Sequence, residues 1–309
     1  KRFLSYYKPH IGLLILDLSC AFTVAAIDVA YPMLTQYILR TLLPQMAIDS
    51  ALVRVFVLLL MGALAAYIVR AVLLYVINYW GHRLGILMEA DIRKDIFSHI
   101  QQLSFSFFDK VRTGKLMSRV TTDLFDITEL AHHGPEDVLI SITTLIGAFI
   151  AMAVLEWRLA LALLCIVPVG VFYVMRIRIK MRKASLTVKE RVAEINADIE
   201  SSISGARVAK AFTNEEHELK KFDKGNKSFV HAKDRFYMYM AFFNSGMEFF
   251  VGLFNLVVLG VGGYLIYKSS LDPILLVTFT LYIATFVQPL KRLASFTELY
   301  ILGMAGFSR

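Results

Sequence analysis

Charged residues are scarce in this 309-residue chain. Asp, Glu, Lys and Arg make up 19% of it, whereas 57% of its residues are hydrophobic. Soluble domains carry about a quarter charged residues and about half apolar ones. The apolar excess lies in long blocks, which excludes an ordinary soluble enzyme and a disordered chain. The sequence therefore predicts an integral membrane protein.

Cysteine and proline are also scarce, with two and seven residues respectively. Cys20 and Cys165 both lie inside apolar blocks, so the sequence indicates no disulfide framework. Residues 45–134 and 169–272 contain no proline, which leaves long helices uninterrupted there.

A phosphate-binding P-loop, G-x-x-x-x-G-K-[ST], is lacking, and so is a Leu-Ser-Gly-Gly motif. The only Gly-Lys pair, Gly114-Lys115, is followed by Leu116 and has no glycine five positions upstream. A P-loop needs that arrangement so that backbone N–H groups and the lysine can surround the phosphates. We therefore expect the chain to bind no cofactor and to hydrolyse no ATP by itself.

Six apolar blocks reach or approach the roughly 20 residues that a membrane-spanning helix needs. The third and fourth meet at Glu156-Trp157-Arg158, which predicts a tight hairpin. The blocks are Ile11–Tyr31, Leu52–Ile77, Val138–Leu155, Leu159–Met175, Phe249–Tyr267 and Ile274–Leu290.

Lys and Arg are distributed unevenly around these blocks. Of the 33, 28 lie before the first block, after the last, or in the long segments 78–137 and 176–248. Basic residues favour the cytoplasmic side. We predict that both termini and both segments are cytoplasmic, in a multi-pass protein of the plasma (cell inner) membrane. The basic, aromatic segment Lys1–His10 suits a short interfacial helix.

Both long segments are predicted to be helical hairpins with packed apolar stripes, turning at Asp109–Gly114 and near Phe212–Glu216. Two tips that carry polar residues beside aromatic ones indicate a docking surface, and solvated turns are the alternative. Apolar residues recur every three or four positions, as on an amphipathic helix. They are Leu84, Met88, Ile92, Ile96, Ile100 and Leu103 in the first segment, and Val188, Val192, Ile195, Ile199 and Ile203 in the second.

Several motifs carry a family resemblance. They are Asp91-Ile92-Arg93-Lys94, Leu103–Lys110 and Thr113–Asp123 in the first hairpin, Gly205–Phe212 with Glu215 in the second, and Gln288–Leu293 in the last block. Through these motifs the chain resembles the transmembrane domain of ATP-binding-cassette (ABC) exporters of the type-1, six-helix kind. The resemblance extends along essentially the whole length of the chain. The resemblance identifies residues 1–10 as the elbow helix of one all-α domain over residues 1–309.

The resemblance implies a homo- or heterodimer of such domains, surrounded by membrane lipids and coupled to two nucleotide-binding domains. Those domains are absent from this chain, whether fused natively or separate, and would bind ATP and Mg. Closure of the ATPase pair would open the cavity outward through the long helices. The implied cargo is an amphipathic or lipid-like molecule, a drug or a peptide, and no nucleic acid is involved.

By the same resemblance, the hairpin tips couple the chain to the nucleotide-binding domains. The spacing alone also permits an i,i+4 ion pair between Arg119 and Asp123, and a helix-capping role for Glu215 and Glu216. The coupling residues are Asp109, Lys110, Arg112, Thr113, Gly114, Arg119 and Asp123 at the first tip, and Phe212, Thr213, Asn214, Glu215 and Glu216 at the second.

Ionisable residues inside spans are functional candidates. Asp17 and Asp28 are about three helical turns apart, so they share a face that points to a cavity or a partner helix. Together with aromatic and polar residues of the last block they would suit an amphipathic cation. A structural ion pair between Asp28 and Arg70 is the alternative. The predicted cargo path is Asp17, Asp28, Phe279, Tyr282, Phe286 and Gln288.

His132-His133 and Glu136-Asp137 provide the donor types of a metal site. Adjacent histidines point about 100° apart on a helix and seldom share a metal, so we predict none. Two other classes of function remain open: a channel or ATP-independent carrier, and a membrane scaffold that docks a cytoplasmic partner. Neither needs two tips with these motifs, which favours the exporter domain.

Overall fold

The computed structural model describes residues 2–46, 52–111, 113–268 and 270–308, and this part of the chain contains helices but no strand. The predicted all-α fold is confirmed. Its α-helices are α1 (Arg2–Ser5), α2 (Ile11–Tyr37), α3 (Leu43–Met46), α4 (Leu52–Val76), α5 (His82–Gln101), α6 (Phe105–Lys110), α7 (Thr113–Val120), α8 (Thr122–Ser204), α9 (Ala206–Ala211), α10 (Glu215–Tyr267) and α11 (Ile274–Ser308). The described residues also form a 3-10 turn (Lys8–His10) and two π-helical turns (Ile38–Leu42 and Ile77–Gly81).

Five helical stretches are long and apolar enough to cross a membrane: Phe3–Met46, Leu52–Ile100, Leu116–Ser204, Glu215–Tyr267 and Ile274–Leu293. The third is interrupted at Glu156, whose backbone is extended (φ −159°, ψ 96°). The third and fourth predicted blocks lie on either side of this residue, as the predicted tight hairpin requires.

The helices of the second hairpin are long because residues 169–272 contain no proline. α10 has 53 residues, and the 83 residues of α8 form two helices separated by the extended backbone at Glu156. At a rise of 1.5 Å per residue, α10 alone is about 80 Å long, more than twice the roughly 30 Å of a hydrocarbon layer. The predicted continuation of a span into a long hairpin is therefore observed in the second hairpin, where α10 contains both.

The chain forms two compact units, one of Lys1–Leu163 with Asn255–Arg309 and the other of Leu164–Phe254. In the first unit α2 packs against both α4 and α11. Small residues on the buried face of α2, including Ala21 and Ala25, let neighbouring backbones approach closely, as is usual between membrane helices. This packing positions the polar residues of the first span.

The N-terminal segment contains the one-turn helix α1 and the 3-10 turn Lys8–His10 rather than one continuous helix. Tyr7 is buried and its hydroxyl donates a hydrogen bond to the carbonyl oxygen of Ala131, 2.6 Å away. The hydroxyl of Tyr6 donates to Asp95 at 2.8 Å, and Nε2 of His10 lies 2.9 Å from a carboxylate oxygen of Asp91. The segment is thus attached to α5 and α8.

The two apolar stripes differ in burial. In the first, Leu84 and Met88 are fully buried, as predicted. In the second, Val192 and Ile199 are exposed and Ile203 is 71% exposed. The predicted packing therefore fails for these three residues, because a hairpin of two helices buries only the seam between them and leaves the flanking apolar positions uncovered.

Candidate functional site

The tip of the second hairpin is a short helix followed by a tight turn. α9 leads into residues 212–214, where the N–H of Phe212 donates to the carbonyl oxygen of Val208 at 3.1 Å and that of Asn214 to Ala209 at 2.8 Å. Thr213 has φ 52°, in the left-handed region that β-branched residues seldom adopt. The break falls inside the predicted turn Phe212–Glu216.

Apolar side chains project from this tip into solvent. Phe212 is 79% exposed, Leu219 66% and Val208 62%. Nearby side chains of α8, α9 and α10 also line an open groove of about 320 Å³. Three largely exposed apolar side chains at and beside one hairpin turn indicate a contact surface for another protein. Sequence reasoning selected Phe212 and missed the other two, of which the apolar spacing around Gly205–Phe212 could have identified Val208.

Charges at the same tip are mostly paired locally. Glu215, Glu216 and Glu218 occupy the first turn of α10, where negative charge is favoured by the helix dipole. Lys210 lies 3.6 Å from Glu215, and Lys220 lies 2.8 Å from Glu216. These glutamates therefore stabilise the start of α10 and remain exposed enough to contact a partner.

An interhelical ion pair holds the second hairpin together behind its tip. Nζ of Lys221 in α10 lies 3.0 Å from Oδ1 of Asp198 in α8. This hydrogen bond raises the pKa of Lys221 above its usual value. The ion pair sets the register of the two helices that carry the tip.

The first tip contains α6 and α7, and Val111 directly follows α6. Asp109, Thr113 and Gly114 are exposed, and Phe105 beside them is 92% exposed. Arg112 lies outside the described residues, as does the side chain of Lys110. The coupling role of the residues at this tip stays a prediction.

Arg119 and Asp123 lie on different helices, because α7 ends at Val120 and α8 begins at Thr122. Asp123 is buried, and Nε of Arg119 is buried without a hydrogen-bond partner among the described residues. The ion pair between them stays a prediction.

Asp17 and Asp28 lie on the inward face of α2, as predicted from their spacing. Asp17 is 1% exposed. Asp28 receives two hydrogen bonds from the guanidinium of Arg70, at 2.7 and 3.1 Å, so the structural ion pair is observed.

The aromatic residues of the predicted cargo path are largely covered. Phe279 and Tyr282 are fully buried, and the hydroxyl of Tyr282 donates to the carbonyl oxygen of Val29 at 3.0 Å. Phe286 is half-buried and Gln288 is exposed. In this conformation Phe279 and Tyr282 offer no surface to a cargo molecule, because α11 packs against α2. Asp17 offers none either, because it lies against Gly81, His132 and Glu136. The exposed face of α11 instead carries Val277, Thr280, Ala284 and Gln288.

Three histidines are packed together next to Asp17. The ring centroids of His132 and His133 are 4.2 Å apart, and that of His82 lies 4.3 Å from His132. Side-chain rotation thus brings the adjacent histidines closer than their helical positions suggested. No feature of the sequence could place His82, 50 residues earlier, in this cluster.

A family model described as the ABC transporter transmembrane region matches residues 14–290. The chain belongs to this family. Over 307 residues it is 36% identical to the uncharacterized ABC transporter ATP-binding protein YwjA of Bacillus subtilis (strain 168), covering 99% of the chain and 52% of that protein. The helices, the motifs and the family match together establish an ABC transporter transmembrane domain that is integral to the membrane.

Two further relatives carry functional names. The chain is 27% identical over 226 residues to an ATP-dependent lipid A-core flippase of Syntrophus aciditrophicus (strain SB), covering 73% of the chain and 38% of the flippase. It is 26% identical over 294 residues to a protein of Staphylococcus aureus (strain NCTC 8325 / PS 47) named as a proposed multidrug export ATP-binding/permease protein, covering 94% of the chain and 50% of that protein. The chain thus spans about half the length or less of the relatives it matches.

Proposed function

We propose that the chain forms half of the translocation pathway of an ATP-driven exporter. It would pair with a second such domain and with nucleotide-binding domains that supply ATP and Mg. The observation that carries this proposal is the second hairpin tip, where Phe212, Val208 and Leu219 expose apolar surface at and beside the turn between two long helices. A channel or an uncoupled carrier needs no such surface.

The helices attached to the tip suit a mechanical role. α10 is continuous from Glu215, beside the turn, to Tyr267 at the far end of the fifth predicted span. The tip and the start of the fifth predicted span, residues 249–254, both lie in the compact unit Leu164–Phe254, so a displacement of the tip would reach the membrane within one unit. Closure of two ATPase domains on ATP would be transmitted in this way to the cargo cavity.

The orientation and the cargo class complete the proposal. The excess of Lys and Arg beside the hairpins supports cytoplasmic termini in the plasma membrane. Relatives named for lipid A-core and multidrug transport support an amphipathic or lipid-like cargo. The exposed, uncharged face of α11, with Thr280 and Gln288, is a suitable wall for such a molecule.

The experiment uses the intact transporter that contains this chain, reconstituted in lipid vesicles. Phe212→Ala and Glu215→Ala remove the apolar and the acidic contacts of the tip. We expect ATP affinity to be unchanged and ATP-driven uptake of a fluorescent amphipathic dye to fall by about tenfold or more, on the basis that a well-packed contact contributes roughly 1–3 kcal/mol. Val230→Ala, at an exposed position of α10 away from the tip, is the matched control.

Full dye uptake by both tip variants would refute coupling through this tip. Dye movement that does not require ATP in the wild-type transporter would instead support the channel or carrier. A membrane scaffold would show neither uptake nor an effect of the substitutions on ATP turnover.

A further inference from the structure

Two carboxylates and an imidazole are buried together at the cytoplasmic end of the predicted spans. Asp17 of α2 is 1% exposed, His132 of α8 is 3% exposed and Glu136, one turn further along α8, is 8% exposed. One ligand atom from each side chain lies within 4.8 Å of the others. Asp17 is 115 or more positions away in sequence from the two residues of α8, and only the fold brings it next to them.

The atoms that face one another have no partners. Both oxygens of Asp17, Oε2 of Glu136 and Nδ1 of His132 are buried and accept or donate no hydrogen bond among the described residues. The nearby guanidinium of Arg292 is directed to Asp137 instead, at 3.9 Å. Buried carboxylates without compensation are strongly unfavourable, more so beside the apolar layer of a membrane. The cluster therefore has the charge and the free donor atoms to hold a cation.

Gly81 leaves open the space between the side chains of Asp17 and His132. A Cβ at position 81 would lie 2.8 Å from Nδ1 of His132 and 2.9 Å from Oδ1 of Asp17, so only glycine leaves the space between them open. Gly81 ends the π-helical turn Ile77–Gly81, and such turns are frequent at functional sites. The site is thus enclosed by backbone rather than blocked by a side chain.

His82 packs against the imidazole of His132. Its Nδ1 lies 2.6 Å from the carbonyl oxygen of Asn78, which can only accept, so this nitrogen carries a proton and can at most share it with Nε2 of His132, 3.1 Å away. The other ring nitrogen of His132, Nδ1, faces the carboxylates and lies 3.8 Å from Oε2 of Glu136. Binding of a metal ion at Nδ1 therefore requires the imidazole proton to reside on Nε2.

We propose that Asp17, His132 and Glu136 form a binding site for a divalent transition-metal ion such as Zn²⁺. One imidazole and two carboxylates suit zinc and its neighbours, whereas Mg²⁺ and Ca²⁺ prefer oxygen ligands alone. Ligands of a tetrahedral zinc lie about 2.1 Å from the ion and hence about 3.4 Å from each other. The observed separation of 3.8 Å for His132 and Glu136 is close to this value, and a ligand atom of Asp17 lies within 4.8 Å of both.

The proposed ion would connect the first span to the helix that enters the third. Asp17 belongs to α2, while His132 and Glu136 belong to the part of α8 that leads from the first hairpin tip into the membrane. A bound ion would therefore restrain the relative movement of these helices at the cytoplasmic edge. This role is independent of whether the transporter exports its cargo.

The test measures Zn²⁺ binding to the intact transporter in detergent, freed of metal by a chelator and kept in excess Mg²⁺. Competition with a chromophoric chelator should show one high-affinity Zn²⁺ per copy of this chain. His132→Gln and Glu136→Gln each remove a ligand atom, and each should weaken binding by about 100-fold or more, beyond the roughly 10–100-fold expected when only an outer partner of a ligand is lost. His99→Gln and Glu190→Gln change the same residue types at exposed positions of α5 and α8, and should bind as wild type.

Thermal unfolding separates loss of the site from loss of the fold. Zn²⁺ should raise the midpoint of the wild type and of both controls, but not that of Glu136→Gln, whose metal-free midpoint should equal or exceed the wild-type value because it removes a buried carboxylate. Wild-type protein that binds no Zn²⁺, or a Glu136→Gln variant that binds it with undiminished affinity, would overturn the proposal.

Discussion

Arg70 of α4 donates two parallel hydrogen bonds to the carboxylate of Asp28 in α2, from Nε to Oδ1 at 2.7 Å and from Nη2 to Oδ2 at 3.1 Å. A bidentate contact fixes both distance and orientation. It links the first and second predicted spans and neutralises a charge that would otherwise face an apolar medium. The first prediction concerns this ion pair.

Replacing Arg70 by methionine leaves Asp28 without its partner. Breaking a fully buried ion pair costs about 3–5 kcal/mol, and we expect roughly 1–3 kcal/mol here because both side chains are about 30% exposed, at 29% and 32%. The double variant Arg70→Met/Asp28→Asn should recover most of the loss. Thermal unfolding of the transporter in detergent measures both effects.

The same ion pair bears on the cargo. Because Asp28 is already paired, Asp28→Asn should lower transport of cationic and neutral compounds to the same extent. A loss confined to cationic compounds would show that Asp28 attracts the cargo directly.

The second prediction compares the two apolar stripes. Met88→Asp places a carboxylate at a fully buried position and should destabilise the protein by roughly 3–5 kcal/mol. Ile203→Asp makes the same change at a position that is 71% exposed, and should alter stability by less than about 0.5 kcal/mol. Thermal midpoints of the two variants, measured side by side, test the difference. Equal destabilisation would mean that a partner covers Ile203 in the intact protein.

The third prediction tests the close approach at Gly81. In Gly81→Ala the new methyl group would lie 2.5 Å from Cε1 of His132, so we expect a loss of about 1–3 kcal/mol as the rings move. Gly62 has nothing within 4 Å of the corresponding position, and Gly62→Ala should stabilise α4 by about 0.5–1 kcal/mol. Opposite shifts of the unfolding temperature are the expected result. A neutral Gly81→Ala variant would contradict the packing described.

Local sequence patterns predicted much of the fold. Apolar length identified the spans, the polar interruption at Glu156 located the hairpin between the third and fourth, and helical periodicity placed Asp17 and Asp28 on one face. All of these depend on residues close together in the chain. The same reasoning placed the hairpin turns, because polar residues interrupt the apolar stripes there.

Contacts between helices could not be predicted in this way. The prediction against a metal site considered only the local group His132, His133, Glu136 and Asp137, and nothing in that part of the sequence indicates that Asp17 and His82 pack against it. The predicted cargo path failed to anticipate the burial of Tyr282 for the same reason. Burial depends on which face of α11 meets α2, and an apolar span has no polar face that reveals it.

The π-helical turn at Ile77–Gly81 decides which face of the helix the later side chains occupy. A π turn accommodates one residue more than an α turn. Straightening this turn into regular α-helix without removing a residue would rotate every later position by about 100°, and Leu84 and Met88 would then turn away from the core. Removing one residue together with the π turn would leave the later positions close to their present faces. We therefore expect related chains that are one residue shorter between α4 and α5 to have a regular α-helix there and the same buried face.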